Sequence, residues 1–401
     1  MPAQPDAALP PDPSFAPPLA DPHFHAGDPF DVYRALRAAP TLHRHAEPAF
    51  WAVTRLEDVV AVSRDPETFC SSRGTLLSDI SRPIIPRQSV LYIDPPEHTK
   101  YRKLVQPAFS PGRLRALERW IRDTTRALLD AIPDPSSVEF VSAFAAELPL
   151  LVIAEMLGVP GSDRDRFKRW SDATIAAGTD PTPENMAQSA ELFEYFAAAL
   201  AERRVRPGDD VLSTLVGSEI DGERLSEFDL SSFCLTLLVA GNETTRNLLS
   251  HGLHALATHP DELALLRADP SLLLRAVEEM LRWGSPILAF MRTATRDAEV
   301  RGTRIREGDR LFLIYAAANR DESVFGDDAE RFRISRDASR HVAFGFGEHF
   351  CLGAALARME ARIAFEELLA RFTRFEIVGE IERVPSMIVR GIERLPVALR
   401  A

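Results

Sequence analysis

Apolar residues recur every three or four positions through the middle of the chain, from Asp94 to about Arg282, and that spacing predicts helices. The strongest are RLRALERWIRDTTRALLDAI, AAELPLLVIAEMLGV, ENMAQSAELFEYFAAALAERR and a long run from Ser226 to His259. HTKYRKLVQPAF reads as a shorter one. Upstream, PFDVYRALRAAP predicts a short helix, and AFWAVTRLEDVVAVSRDP a strand entering a helix. After Ile287 the pattern breaks into short β-branched and aromatic pieces, as in EVRGTRIREGDRLFLIYAAAN, whose Gly and Asp turns suit small strands. Helix returns in LGAALARMEARIAFEELLARF after Cys351, and RFEIVG and RLPVALR close as strands. The expectation is a mostly α fold with small β-sheets: a flexible Pro-rich arm over 1–20, then a single domain over 21–401.

At 401 residues the chain is long enough for a large core. Its formal net charge of -12 argues against nucleic-acid partners, so any electrostatic partner must meet a local basic patch. Three widely spaced cysteines, Cys70, Cys234 and Cys351, suit a reducing cytoplasm better than a disulfide framework. The N-terminus lacks the basic and apolar regions of a secretory signal. The most apolar internal segment, FCLTLLVAG, falls short of the roughly 20 residues a membrane span needs. A cytoplasmic protein with no membrane span is expected.

Cys351 stands between a loop with Gly345, Gly347 and Gly353 and the start of a helix. Free N–H groups and the helix dipole at such a position stabilise a sulfur anion. The glycines allow a tight fold around it. On the residue alone, an inert buried thiol and a metal ligand are both open. A zinc site is the poorer choice, because no second Cys or His pair stands at ligand spacing. A single protein ligand points to a metal held by a macrocycle.

FGFGEHFCLG resembles the haem-ligand motif of the cytochrome P450 family, F-x-x-G-x-H-x-C-x-G, and three further motifs follow the family's order. The resemblance covers Asp94 to the C-terminus, and it implies the P450 fold with a long central helix over haem b (iron protoporphyrin IX). It makes Cys351 the axial thiolate, with Phe344 packed beside the sulfur and Gly353 in the turn. A thiolate pushes electron density to iron and favours O–O cleavage.

Within the long run, LLVAGNETTRN places Gly241, Glu243, Thr244 and Thr245 where a buried helix would hold apolar residues. A threonine can bond back to the carbonyl four residues earlier, here Ala240, and open a local groove or kink. The segment resembles A-G-x-[DE]-T-T. The groove at Ala240 and Gly241 then takes O2, and Glu243 and Thr244 relay protons as acid and alcohol.

In AVEEMLRWGSP, Glu279 and Arg282 share a helix face at i and i+3. The pair resembles the family's E-x-x-R, a structural brace whose third member would be Arg331 in AERFRI, where Ala329 replaces the usual proline. In DPPEHTKYRKLVQPAFSP, His98 and Arg102 lie one helical turn apart. With Arg292 and His349 they match the family's haem-propionate partners, and arginine forks and imidazoles suit carboxylates.

The resemblance implies a monooxygenase that takes electrons from a ferredoxin and its reductase. Lys100, Arg102, Lys103, Arg113, Arg115, Arg358 and Arg362 offer a basic patch for an acidic ferredoxin. Val239, Leu288, Ala289, Phe290, Ile388 and Val389 are the expected substrate contacts and favour a hydrophobic ligand such as a steroid, terpenoid, fatty acid or polyketide. Arg82 or Arg87 would anchor a carboxylate. A monomer is expected. Two alternatives stand beside this reading: a peroxide-driven peroxygenase, which would not need the Glu243–Thr244 pair, and a non-catalytic haem sensor, which would need no substrate pocket.

Overall fold

The run from Ser226 to His259 folds as one unbroken 32-residue α-helix, Glu227–Thr258, in a computed structural model that describes residues 15–81, 89–177, 182–220 and 223–401. Ser226 and Asp229 close a capping box at its start, which satisfies N–H groups that would otherwise be orphaned. Packing divides the chain into two compact units.

One unit comprises Ile85–Val277, Cys351–Glu382 and Ile392–Ala401. It holds the predicted helices Glu97–Val105, Pro111–Asp130, Glu147–Met156, Pro183–Val205 and Ala354–Arg371 around the long helix. Arg164–Ala177 adds another. Arg374–Ile377, Pro396–Arg400 and Val138–Glu139 form a three-stranded antiparallel sheet. Helix Pro111–Asp130 is tied to helix Ala354–Arg371 by Arg122, which donates to Glu367 at 2.9 Å and to Glu366 at 2.5 Å, and by Arg126 to Glu367 at 3.0 Å.

The other unit comprises Met1–Ile84, Glu278–Phe350 and Arg383–Gly391. Its five-stranded sheet runs in the order His43–His45, Phe50–Val53, Arg310–Ile314, Ala289–Ala294, Phe69–Cys70, with one parallel pair between Phe50–Val53 and Arg310–Ile314. Side chains alternate across a strand, so Arg310–Ile314 divides its apolar residues between two cores. Leu311 and Leu313 enter a core with Leu56, Val59 and Val62, whereas Phe312 and Ile314 enter a second core with Tyr33, Leu36 and Leu288.

Two expectations change here. Leu19 is fully buried in the second core, so the arm expected over 1–20 does not reach it. IYAAAN does not continue the strand: the chain turns after Ile314 into a short helix, Tyr315–Ala318. Among the described residues no helix is long and apolar enough to cross a membrane.

Candidate active site

Cys351 lies two residues before Gly353, the N-cap of the 18-residue helix Ala354–Arg371. The sulfur accepts the Gly353 N–H and lies in the fields of Arg102 and Arg358. Burial pushes the thiol up from its ordinary range, and these three contacts pull the other way. The uncompensated part of that burial is what a metal cation bonded to sulfur would offset. A Cβ at Gly353 would meet Phe109 and the sulfur only at 3.9 and 4.0 Å, so the fold itself does not demand glycine there. Its absence keeps the space beside the sulfur clear. The donor set therefore fits a haem-thiolate cofactor: one sulfur at a helix N-terminus, with the charges of Arg102 and Arg358 acting on it and no side chain at Gly353.

The Glu243–Thr244 pair sits in the same unit, on the long helix. That helix is buried at Leu238 and again from Asn247 to Leu253, but Val239 and Ala240 are exposed, and Gly241, Glu243 and Thr244 are partly so. An open face in the middle of a core helix is what a flat cofactor would cover. Thr244 Oγ1 donates to Ala240 O at 2.7 Å, the back-bond its position predicts. The helix stays α-helical throughout, with no break at this turn. A Cβ on Gly241 would stand 2.7 Å from Ile153 Cδ1, so this glycine lets helix Glu147–Met156 approach closely.

Glu243 is more tightly held than its sequence suggests. Its Oε1 accepts from Arg246 Nη2 at 2.8 Å and from Asn247 Nδ2 at 3.1 Å. Neither partner was among the expected site residues, although Glu243 and Arg246 share the i, i+3 spacing that singled out Glu279 and Arg282.

His98 and Arg102 fall on helix Glu97–Val105, one turn apart as expected, with His98 buried and Arg102 partly exposed. Arg292, Phe344 and His349 belong to the other unit. Arg292 is buried on strand Ala289–Ala294 and donates to Met291 O at 2.7 Å. His349 Nε2 lies 3.1 Å from Ser71 Oγ, and the Phe344 ring packs edge-on against Phe350. Gly345 and Gly347 have φ of +70° and +74°. A Cβ on Gly347 would come within 2.3 Å of the Ser63 carbonyl oxygen, so this turn requires glycine.

The brace differs from expectation in its third member. Arg282 donates through Nε and Nη2 to both Glu279 oxygens at 2.7 Å, and both side chains are fully buried. The second guanidinium on Glu279 is that of Arg336, Nε to Oε1 at 3.3 Å, not that of Arg331. Arg331 points its side chain outward and contributes its carbonyl, which accepts from Arg282 Nη2 at 3.0 Å.

Of the expected substrate contacts, Leu288 and Ala289 are core residues, 0% and 1% exposed, and present no surface to a ligand. A core and a ligand pocket select the same apolar side chains, which is why the sequence did not separate them. Phe290, Ile388 and Val389 keep some exposure, and Ile287–Phe290 is joined to the 388–389 segment by the Leu288 N–H to Ile388 O bond at 2.8 Å and the Ile287–Val389 bridge. Arg82 and Arg87 lie outside the described residues.

The cytochrome P450 family model matches residues 185–389. The chain is 38% identical over 382 residues to cytochrome P450 109 of Bacillus spizizenii, covering 92% of each. It is 38% identical over 389 residues to linalool 8-monooxygenase of Pseudomonas putida, covering 92% of this chain and 95% of that one. Its fold matches the structure of cytochrome P450 CYP109Q5 from Chondromyces apiculatus with a TM-score of 0.86 at 37% identity, covering 96% of this chain and 98% of that one.

Proposed function

The chain belongs to the cytochrome P450 family, and on that premise we propose that Cys351 is the sulfur ligand of its haem, that Glu243 and Thr244 are its proton-handling pair, and that its substrate is an apolar terpenoid or lipid. It is a monooxygenase with a haem-thiolate cofactor. When bound, that cofactor activates O2 and delivers one oxygen atom to substrate. The observation that carries the ligand assignment is the Cys351 sulfur at the start of helix Ala354–Arg371, with the Gly353 N–H and the Arg102 and Arg358 charges acting on it.

The chain's own residues then divide the work. Gly353, Arg102 and Arg358 favour the sulfur anion. His98, Arg102, Arg292 and His349 are the proposed propionate partners. Thr244, whose hydroxyl proton is committed to Ala240 O, offers its lone pairs to a water or hydroxyl above the open helix face. Glu243 supplies protons to the water or hydroxyl that those lone pairs hold. Both stand beside Val239 and Ala240, whose exposed apolar surface favours an apolar substrate, as do Phe290, Ile388 and Val389. The linalool-oxidising relative supports a terpenoid in the first instance.

An acidic ferredoxin is the proposed electron donor. Of the basic residues that suggested it, Arg113 is engaged with Asp209, and Arg362 with Glu118 and Glu366. Lys103 and Arg115 are exposed and become the residues to reverse. Slower reduction in Lys103→Glu and Arg115→Glu, with a weaker dependence on salt, supports docking there. Unchanged rates with every ferredoxin tried would rule it out.

The decisive test of the ligand is Cys351→Ser. Loss of the red-shifted Soret band of the reduced carbonyl complex, in a variant whose circular dichroism matches wild type, is the expected result. Retention of that band would move the ligand elsewhere. Thr244→Ala should keep the band and divert electrons from product to peroxide. A spectral-shift screen of terpenoids, lipids and steroids on the ferric protein tests the substrate class, and binding confined to polar ligands would refute it.

A further inference from the structure

We infer that Arg246 is a positioning residue that latches Glu243, and that Glu393 is the outer catch that draws the latch off; the inference rests on the reading of Glu243 as the proton donor. Arg246 Nη2 is 2.8 Å from Glu243 Oε1 and 3.5 Å from Glu393 Oε2. One nitrogen thus faces two carboxylates. Glu243 and Arg246 are nearly buried, with side chains 13% and 17% exposed, whereas Glu393 is 60% exposed on strand Gly391–Arg394. The guanidinium therefore stands between an inner acid and an outer one that water reaches.

A guanidinium gains most when two parallel N–H groups meet both oxygens of one carboxylate. Arg246 has that arrangement with neither. Its Nε is buried and has no hydrogen-bond partner among the described residues. Two better-bonded positions are open to it, a fork on Glu243 or a fork on Glu393, and it cannot hold both. With the fork on Glu243, the acid is fixed against its own helix, with Asn247 on the same oxygen. With the fork on Glu393, only Asn247 restrains Glu243, and its carboxyl is able to turn toward water and Thr244.

Arginine itself stays protonated and carries no proton along this route. A proton would pass from water to the released Glu243 carboxylate and from that carboxyl to the acceptor at Thr244. Arg246 decides only when the carboxylate is free to move. Lysine at this position would hold the charge without the fork, so it would restore attraction but not the exchange between two bidentate positions.

The test uses crystals of the haem-loaded protein together with coupling measurements, meaning product formed per electron pair consumed. In wild type, the Arg246 guanidinium is expected in two positions, one on each carboxylate. Glu393→Gln should leave only the inner position, lower coupling at least threefold with KM unchanged, and raise the solvent deuterium isotope effect on turnover. Arg246→Lys should not recover the wild-type isotope effect. A single Arg246 position in both wild type and Glu393→Gln would overturn the latch, and so would unchanged coupling in Glu393→Gln. The acid reading fails separately: full coupling in Glu243→Gln would remove Glu243 from proton transfer whatever position Arg246 occupies.

Discussion

Arg282 grips Glu279 through two 2.7 Å bonds in a place where neither side chain has any exposure to solvent. At the surface, an i, i+3 pair is worth a few tenths of a kcal/mol. Here the remaining Arg282 donors are taken up by the carbonyls of Asn319, Ala329 and Arg331, and Glu279 also accepts the Arg333 N–H and faces Arg336. Removing the carboxylate leaves a buried cation without its anion. Glu279→Ala is therefore expected to destabilise by about 3–5 kcal/mol. Equilibrium denaturation measures it, and a loss below about 1 kcal/mol would mean that solvent reaches the pair.

Gly347 and Gly345 separate two penalties that usually come mixed. Both have positive φ, which costs a residue with a Cβ about 1–2 kcal/mol. At Gly345 the nearest atom to a new Cβ is Tyr315 Oη at 3.7 Å, an ordinary contact. At Gly347 it is the Ser63 carbonyl oxygen at 2.3 Å, and backbone cannot swing aside. Gly345→Ala should cost the conformational amount alone, and Gly347→Ala more, with movement of the Leu56–Arg64 helix end seen by hydrogen exchange. Equal losses in the two variants would show that the Ser63 backbone yields freely.

Much of this architecture is legible in the sequence because long helices announce themselves through a 3.6-residue period, and the helices around Glu227–Thr258 fall close to where that period puts them. The Glu279–Arg282 bond is legible for the same reason, since three residues of helix bring the two onto one face. Arg336 is not, because it reaches Glu279 across 57 residues of chain and nothing local marks it. Tyr315–Ala318 escaped because its alanines follow the apolar strand Arg310–Ile314 without a break in polarity. The Arg246–Glu393 contact spans 147 residues, so even though Arg246 is visible from Glu243, its second partner is not.

Gly241 makes a prediction whose sign turns on one methyl group. Alanine favours helix over glycine by about 1 kcal/mol. Its Cβ would nevertheless press on Ile153 Cδ1 at 2.7 Å and Cγ1 at 3.1 Å. Overpacking of that kind costs about 1–3 kcal/mol. Gly241→Ala should therefore be neutral to destabilising, and Ile153→Val, which lacks the Cδ1 methyl, should convert it to stabilising. A double-mutant cycle in denaturant gives the coupling directly. Additive effects would show that the two helices separate at no cost.

Glu360 gives a pH dependence with a definite sign. It lies on helix Ala354–Arg371, 2% exposed, and its Oε2 has no hydrogen-bond partner among the described residues. Desolvation alone pushes its carboxyl up to about 8 from an ordinary 4.5. The folded state thus binds this proton more tightly than the unfolded chain. The stability this contributes is complete below about pH 4.5, falls by roughly 1.4 kcal/mol per pH unit as pH rises, and is exhausted above about pH 8. At pH 7 the accumulated loss is on the order of 3 kcal/mol. Glutamine has the shape of the protonated acid and does not ionise, so Glu360→Gln should match wild type near pH 5 and become progressively more stable up to pH 8. Unfolding free energies for the two proteins across that range decide it. A constant difference would mean that a water or a cation already satisfies Oε2, and that the carboxylate is held ionised inside the helix packing.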